Sequence, residues 1–255
     1  MKLLCTAESA KNTKFITKPN EDYYICDEAR GVFVLLDGVS RDGTAENYPQ
    51  PSPSAIISEI VANEIYVYTK ENLSEKKIEN VLLEAMSRGN QAARNYNKGD
   101  SDYFLPGTVG VISVIRDNTL YYAYIGDCTG RTIHHDIQNI FTQKQTQLIS
   151  ENQKYFSKRE VRVNICNNIF HPYKYGVLNG DEAAMAFVNI GVIALHSSDR
   201  IILASDGMDD YLKTLSVKQL KKYNAKEFIN NAILFNNEKA DDRTIVCIDL
   251  ISERN

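Results

Sequence analysis

The chain has 255 residues, 43% of them hydrophobic and 24% charged, which is the balance of a globular protein with a sizeable core and a length that one layered domain can fill. A formal charge of −4 removes the broad basic footprint that non-specific nucleic-acid binding requires, so nucleic acid is excluded as an expected partner. Five scattered cysteines without a CxxC pair, no apolar run of membrane-spanning length and no signal-type start point to a cytoplasmic protein with reduced thiols and no membrane partner.

Taken in chain order, two short apolar runs at 23–26 and 32–36 flank the turn-like Asp27–Gly31 and predict an antiparallel strand pair. Ser52-Pro53 opens a helical pattern with Ile56, Ile57, Ile60, Val61, Ile65 and Tyr68 on one face. Ser74 is placed to cap a second helix, whose buried face runs from Ile78, Val81 and Leu82 through Ala85, Met86 and Gly89 to Ala92, Ala93 and Tyr96. Strand signals return at 109–115, 120–125 and 131–135, with Asp117-Asn118 as a turn, and read as a β-meander. The polar stretch from about 142 to 186 is expected to be a flap over a site. Strands follow at 188–195 and 201–204, helices at 208–212, 217–222 and 225–235, and a last strand at 244–251. Strands in blocks, separated by blocks of helices, predict a single α+β domain over 1–255, with antiparallel sheets and helices on their outer faces.

Three carboxylates end apolar strands: Asp37 after 32–36, Asp127 after 120–126 and Asp206 after 201–205. Asp37-Gly38 and Asp206-Gly207 each carry a glycine that permits close backbone approach to an ion, although either dipeptide alone reads as a turn. Glu21-Asp22 precedes the first strong strand and Asp241-Asp242 the last. Five acidic clusters converging would repel one another and raise their pKa values, a conflict that a divalent cation removes. All-oxygen ligation favours Mg²⁺ or Mn²⁺ over zinc, and the four histidines show no ligand spacing. His134 and His135, adjacent on a strand, are expected to face opposite ways and not to share an ion, and His171 stands apart.

The order of these motifs resembles the type 2C metal-dependent Ser/Thr protein phosphatases along nearly the whole chain. Asn20-Glu21-Asp22, Asp37-Gly38-Val39-Ser40, Gly107-Thr108, Gly126-Asp127-Cys128, Ser205-Asp206-Gly207 and Asp241-Asp242-Arg243-Thr244 are each similar to a short motif of that family. The resemblance implies a four-layer αββα sandwich of two antiparallel sheets flanked by helices. It implies two Mg²⁺ or Mn²⁺ ions per site, bridged by Asp37, with the Gly38 carbonyl, Asp206 and Asp241 as further ligands and Asp127 available to a third ion. Glu21 and Asp22 would hold metal-bound waters, so that Glu21, Asp22 and Asp37 form the catalytic set. Thr17 occupies the place of the family's phosphate-gripping Arg, which leaves Lys18, Lys14 or Arg41 as substitutes. The implied activity is hydrolysis of phosphoserine and phosphothreonine on proteins by a monomer that works opposite a Ser/Thr kinase. The alternatives are an inert binding module of the same fold and a hydrolase of a small phosphoester.

Overall fold

The computed structural model describes residues 2–15, 17–39, 48–99, 105–236 and 241–252. The chain begins with strand β1 (Lys2–Ala10), followed by β2 (Tyr23–Asp27) and β3 (Val32–Val39), and then by helices α1 (Pro53–Asn72) and α2 (Ile78–Tyr96). Strands β4 (Gly107–Arg116), β5 (Thr119–Ile125), β6 (Thr129–His134) and β7 (Ile137–Ile140) come next. Short helices α3 (Gln147–Asn152) and α4 (Lys158–Glu160) precede β8 (Asn189–Ala194) and β9 (Arg200–Ala204). Helices α5 (Asp209–Lys213), α6 (Val217–Lys222) and α7 (Ala225–Phe235) lead into the last strand, β10 (Arg243–Ile251).

Two five-stranded antiparallel sheets result, ordered β2-β3-β4-β5-β8 and β1-β10-β9-β6-β7. Alternation along the central strands shows why they stack. In β3, Val32, Val34 and Leu36 face the α1–α2 layer, while Phe33 and Leu35 face the core between the sheets. In β10, Val246 and Ile248 face that same inner core, while Ile245 and Cys247 turn to α5, α6 and α7. A strand buried on both faces reads as an unbroken apolar run, which is the pattern of 32–36. The architecture is the expected αββα sandwich.

Helix α1 starts where expected, with the Ser52 hydroxyl accepting from the Ala55 N–H. Helix α2 starts later than predicted: Lys77, not Ser74, is its N-cap, because residues 73–76 are spent on a tight turn in which Glu75 and Lys76 donate back to the Asn72 carbonyl. At its other end Tyr96, expected to be buried, is exposed. The 117–118 turn has φ of 49° and 57°, the two positive values a two-residue hairpin loop needs, and Asp and Asn tolerate them.

The predicted meander is corrected. Strand β5 pairs with β4 and β8, whereas β6 pairs with β9 and β7 in the other sheet. The chain changes sheets at Gly126, whose φ is +85° and where an added Cβ would lie 2.4 Å from Val109 Cβ. Strands β1 and β7 were not anticipated; β7 is short and mostly exposed at a sheet edge. The 142–186 stretch carries short helical turns and buried anchors. Gln145 Oε1 accepts from the N–H groups of Gly126 and Gly176 at 3.0 and 3.2 Å, and its Nε2 donates to the Phe187 carbonyl at 2.6 Å. Buried Asn167 exchanges two hydrogen bonds with Val177.

Candidate metal centre and catalytic site

Antiparallel pairing determines where the acidic motifs go. Residues 21–22 precede β2 and Asp37-Gly38 end β3, and these strands pair with Tyr23 opposite Leu36. Asp127 follows β5, whose Ile125 lies opposite Gly110 near the start of β4, which itself holds Thr108 opposite Gly38. Asp206 follows β9 and Asp241-Asp242 precede β10, with Ala204 opposite Ile245. All five clusters therefore emerge at the same end of the sandwich.

Their fields overlap there. Burial drives Asp37 well above the ordinary carboxylate range, reinforced by the charges of Asp22, Asp206, Asp241 and Asp127. Asp22 is pushed up to about 8, first by burial and then by the charge of Asp242. Asp241 is pushed up to about 7 by burial and by Asp206, against the pull of Lys18. Asp127 rises through burial, although the Thr146 hydroxyl, donating to its Oδ2 at 2.8 Å, and Lys144 hold it down. Both oxygens of Asp22 are buried and accept no hydrogen bond among the described residues. Such a set suits hard divalent cations, which take oxygen ligands and cancel this repulsion. Among the described residues no three of these carboxylates bring ligand oxygens within 4.8 Å of one another.

The glycines set the backbone of the site. A Cβ on Gly38 would stand 2.7 Å from the Glu21 carbonyl oxygen, and one on Gly207 only 1.8 Å from the Asp242 carbonyl oxygen. The segment after β9 can lie against the segment before β10 only because residue 207 lacks a side chain. Gly207→Ala is expected to cost about 2–3 kcal/mol through forced displacement, lowering Tm by roughly 5–10 °C; a thermal melt checks this, and an unchanged Tm would contradict the close contact.

Two predicted site residues are placed differently from expectation. Lys18 is not presented to a substrate: it is 4% exposed, and its Nζ lies 3.1 Å from Asp242 Oδ2 and 3.2 Å from Glu21 Oε2. Burial works against its charge, but Asp242 and Glu21 outweigh that and hold the ammonium protonated beyond its usual range. Glu21 is fully buried and engaged by Lys18, by the Tyr48 hydroxyl at 2.5 Å and by the Ser52 hydroxyl. Arg41, with Ser40, lies outside the described residues.

Sequence reasoning missed Asp242 as the hub of this framework. Its Oδ1 accepts from the Asn12 N–H at 2.7 Å, and its Oδ2 accepts from the Glu21 N–H at 3.0 Å as well as from Lys18. It thereby ties the 12–21 segment to the start of β10. Thr108 does the same for β3, donating to the Asp37 carbonyl at 2.8 Å and accepting from Ser58 of α1 at 3.1 Å.

Solved structures share this architecture along nearly the whole chain. The Mycobacterium tuberculosis serine/threonine phosphatase PstP/Ppp superposes with a TM-score of 0.74 over 99% of this chain and 100% of that one, at 19% identity. The fold is that of the bacterial serine/threonine phosphatases. A catalytic domain of PstP in complex with two manganese ions matches with a TM-score of 0.68 and 18% identity, covering 98% of this chain and 99% of that one. The PPM Ser-Thr phosphatase MsPP from Mycobacterium smegmatis, in complex with cacodylate, matches at 0.67 and 15% identity, covering 98% and 99%. No family model matches the chain, and no curated protein matches it. Identities this low carry the phosphatase fold across and leave the activity to be argued from this chain's own residues. No described helix is long and apolar enough to cross a membrane.

Proposed function

We propose that this chain is a metal-dependent phosphatase that removes phosphate from phosphoserine and phosphothreonine on proteins. One observation carries the reading: Asp22, Asp37, Asp127, Asp206 and Asp241 converge from five chain segments at one end of a phosphatase-type sandwich, and both Asp22 oxygens are buried without hydrogen-bond partners. Asp37, the Gly38 carbonyl, Asp206 and Asp241 would hold two Mg²⁺ or Mn²⁺ ions, and Asp127 would serve a third. Bound there, the ions would activate water and neutralise charge on the phosphoryl oxygens.

The chain's own residues supply the rest. Asp22 holds two buried acceptor oxygens close enough to Asp37 for its charge to act on that group. Glu21, with its oxygens taken by Lys18, Tyr48 and Ser52, acts by positioning Asp22 and the Gly38 backbone, whose N–H donates to the Glu21 carbonyl at 3.1 Å. Because Lys18 is committed to Asp242 and Glu21, we do not retain it as the phosphate grip.

A protein substrate is favoured over a small phosphoester by what adjoins the site. A cleft of about 740 Å³ begins at Val39, next to Gly38, and runs between the end of α2 and residues 162–181, with Arg94, Lys98 and Arg162 among its lining. Its walls mix cations with Asp181, the Asn97 and Asn179 amides and apolar Val163 and Val177, and so offer contacts to the chain around a phosphorylated residue that a small phosphoester would leave unused. We place the activity in the cytoplasm, in a monomer opposed by a Ser/Thr kinase, in keeping with five free cysteines.

Hydrolysis of p-nitrophenyl phosphate and of phosphoserine and phosphothreonine peptides is expected with Mn²⁺ or Mg²⁺ and is expected to disappear with EDTA. Turnover that persists in EDTA would refute the metal-dependent mechanism. Mn²⁺ binding without turnover on any phosphopeptide would make the chain a binding module instead.

A further inference from the structure

We propose that His134, His196 and Asp199 form a second metal site, for a borderline transition cation such as Zn²⁺, at the end of the sandwich opposite the acidic cluster. One imidazole nitrogen from each histidine and one oxygen of Asp199 all lie within 4.8 Å of one another. His134 Nδ1 is 2.5 Å from Asp199 Oδ1, and His196 Nδ1 is 3.7 Å from Asp199 Oδ2. Metal–ligand bonds of about 2.0–2.2 Å put tetrahedral ligands roughly 3.3 Å apart, so the two spacings bracket what an ion needs.

The donor set separates this site chemically from the aspartates at the other end. Two imidazoles and one carboxylate form a three-ligand zinc-type set with a fourth position left for water, whereas Mg²⁺ and Mn²⁺ prefer oxygen. The carboxylate is already fixed. Asp199 is 3% exposed, its Oδ2 accepts from the His196 N–H at 2.8 Å, its own N–H donates to the His196 carbonyl at 3.2 Å, and its carbonyl accepts from the Leu250 N–H at 2.9 Å. The two histidine rings sit 4.5 Å apart, centroid to centroid, with His134 partly exposed and His196 mostly exposed, so the ion has a path in. Binding would replace the His134–Asp199 hydrogen bond by ligation through Nδ1, leaving the ring proton on Nε2.

His135 is no part of this ligand group, but its ring does not face away from that of His134 as strand alternation predicts. Strand β6 ends at His134, and His135 has φ of +48°, so strict alternation has already stopped and the two rings meet at 4.2 Å. The ligating partner of His134 is in any case remote in sequence. Pairing of Ile133 with Arg200 brings the turn after β6 against the 195–199 loop, through which the chain passes from β8 in one sheet to β9 in the other. A cation held there would cross-link those two turns.

The test uses the full chain in saturating Mg²⁺, which occupies the acidic end, with Zn²⁺ as the probe in calorimetric titration and in metal analysis after dialysis. One Zn²⁺ per chain is expected for the unaltered protein and for His171→Ala. His196→Ala, a change at a mostly exposed side chain that the fold tolerates, is expected to weaken binding at least about tenfold and to abolish the rise in Tm that Zn²⁺ produces. Asp37→Asn should retain the Zn²⁺. No zinc bound, unchanged affinity in His196→Ala, or loss of the zinc in Asp37→Asn would each overturn the site.

Discussion

Asp37→Asn should lower kcat for p-nitrophenyl phosphate in saturating Mn²⁺ by roughly a thousandfold or more, about 4 kcal/mol of transition-state stabilisation. Asp37 is the carboxylate on which the charges of Asp22, Asp127, Asp206 and Asp241 all act, so it occupies the middle of the cluster. An amide has the same shape but supplies no negative charge to hold a cation between the others. The same substitution should leave the metal-free protein as stable as before, or more so, because it removes a charge that its buried surroundings disfavour. Steady-state kinetics paired with a thermal melt in EDTA separate the two effects. Retained kcat would remove Asp37 from the centre of the mechanism, and a collapsed melt would mean that the residue is structural.

Stability of the metal-free protein should fall as pH rises from about 4 to about 8, and Mn²⁺ or Mg²⁺ should reverse the fall. Asp22 at about 8 and Asp241 at about 7 both lie above the ordinary carboxylate value of 3.8. Between that value and the raised ones, the folded chain keeps protons that the unfolded chain has released, so rising pH favours unfolding. The stabilising contribution is whole below about pH 4 and is lost as pH passes through 7 to 8. The effect is on the order of a few kcal/mol, or roughly 5–10 °C in Tm for a chain of this size. Melts in EDTA at pH 5.5 and 8, repeated with Mn²⁺, measure it. A flat or rising profile in EDTA would show that the aspartates do not share one buried field.

Much of this was readable from local chemistry. The 32–36 run announced a strand buried on both faces, Ser52-Pro53 announced the start of α1, and Asp117-Asn118 announced a left-handed hairpin turn, because each depends on neighbours a few residues away. Strand β1 carries a legible trace of its own: Leu3, Cys5 and Ala7 alternate with polar or exposed residues and pack on the inner core. Strand β7 had no such trace, since only its pairing with β6 identifies it.

The acidic strand ends were likewise apparent from residue order, and antiparallel pairing then left them no choice but one end of the sandwich. What each does there was decided in three dimensions. Nothing local distinguishes Asp241 from Asp242, yet the packing against Gly207 and the 12–21 segment gives Asp242 the backbone N–H groups and the Lys18 ammonium. Lys18, a plausible phosphate grip by sequence, became a buried counter-ion because two carboxylates from residues 21 and 242 close around it. His134, His196 and Asp199 meet only because β6 and β9 lie side by side. Hydrophobic period and turn chemistry act over a few residues, so residue order yields most of the elements, the helix-covered sheets and the acidic strand ends, but not strand β7 or the transfer of β6 to the second sheet. Whether a charged group becomes a counter-ion, as Lys18 does, or a hub, as Asp242 does, depends on partners that are distant in sequence and brought together by strand register.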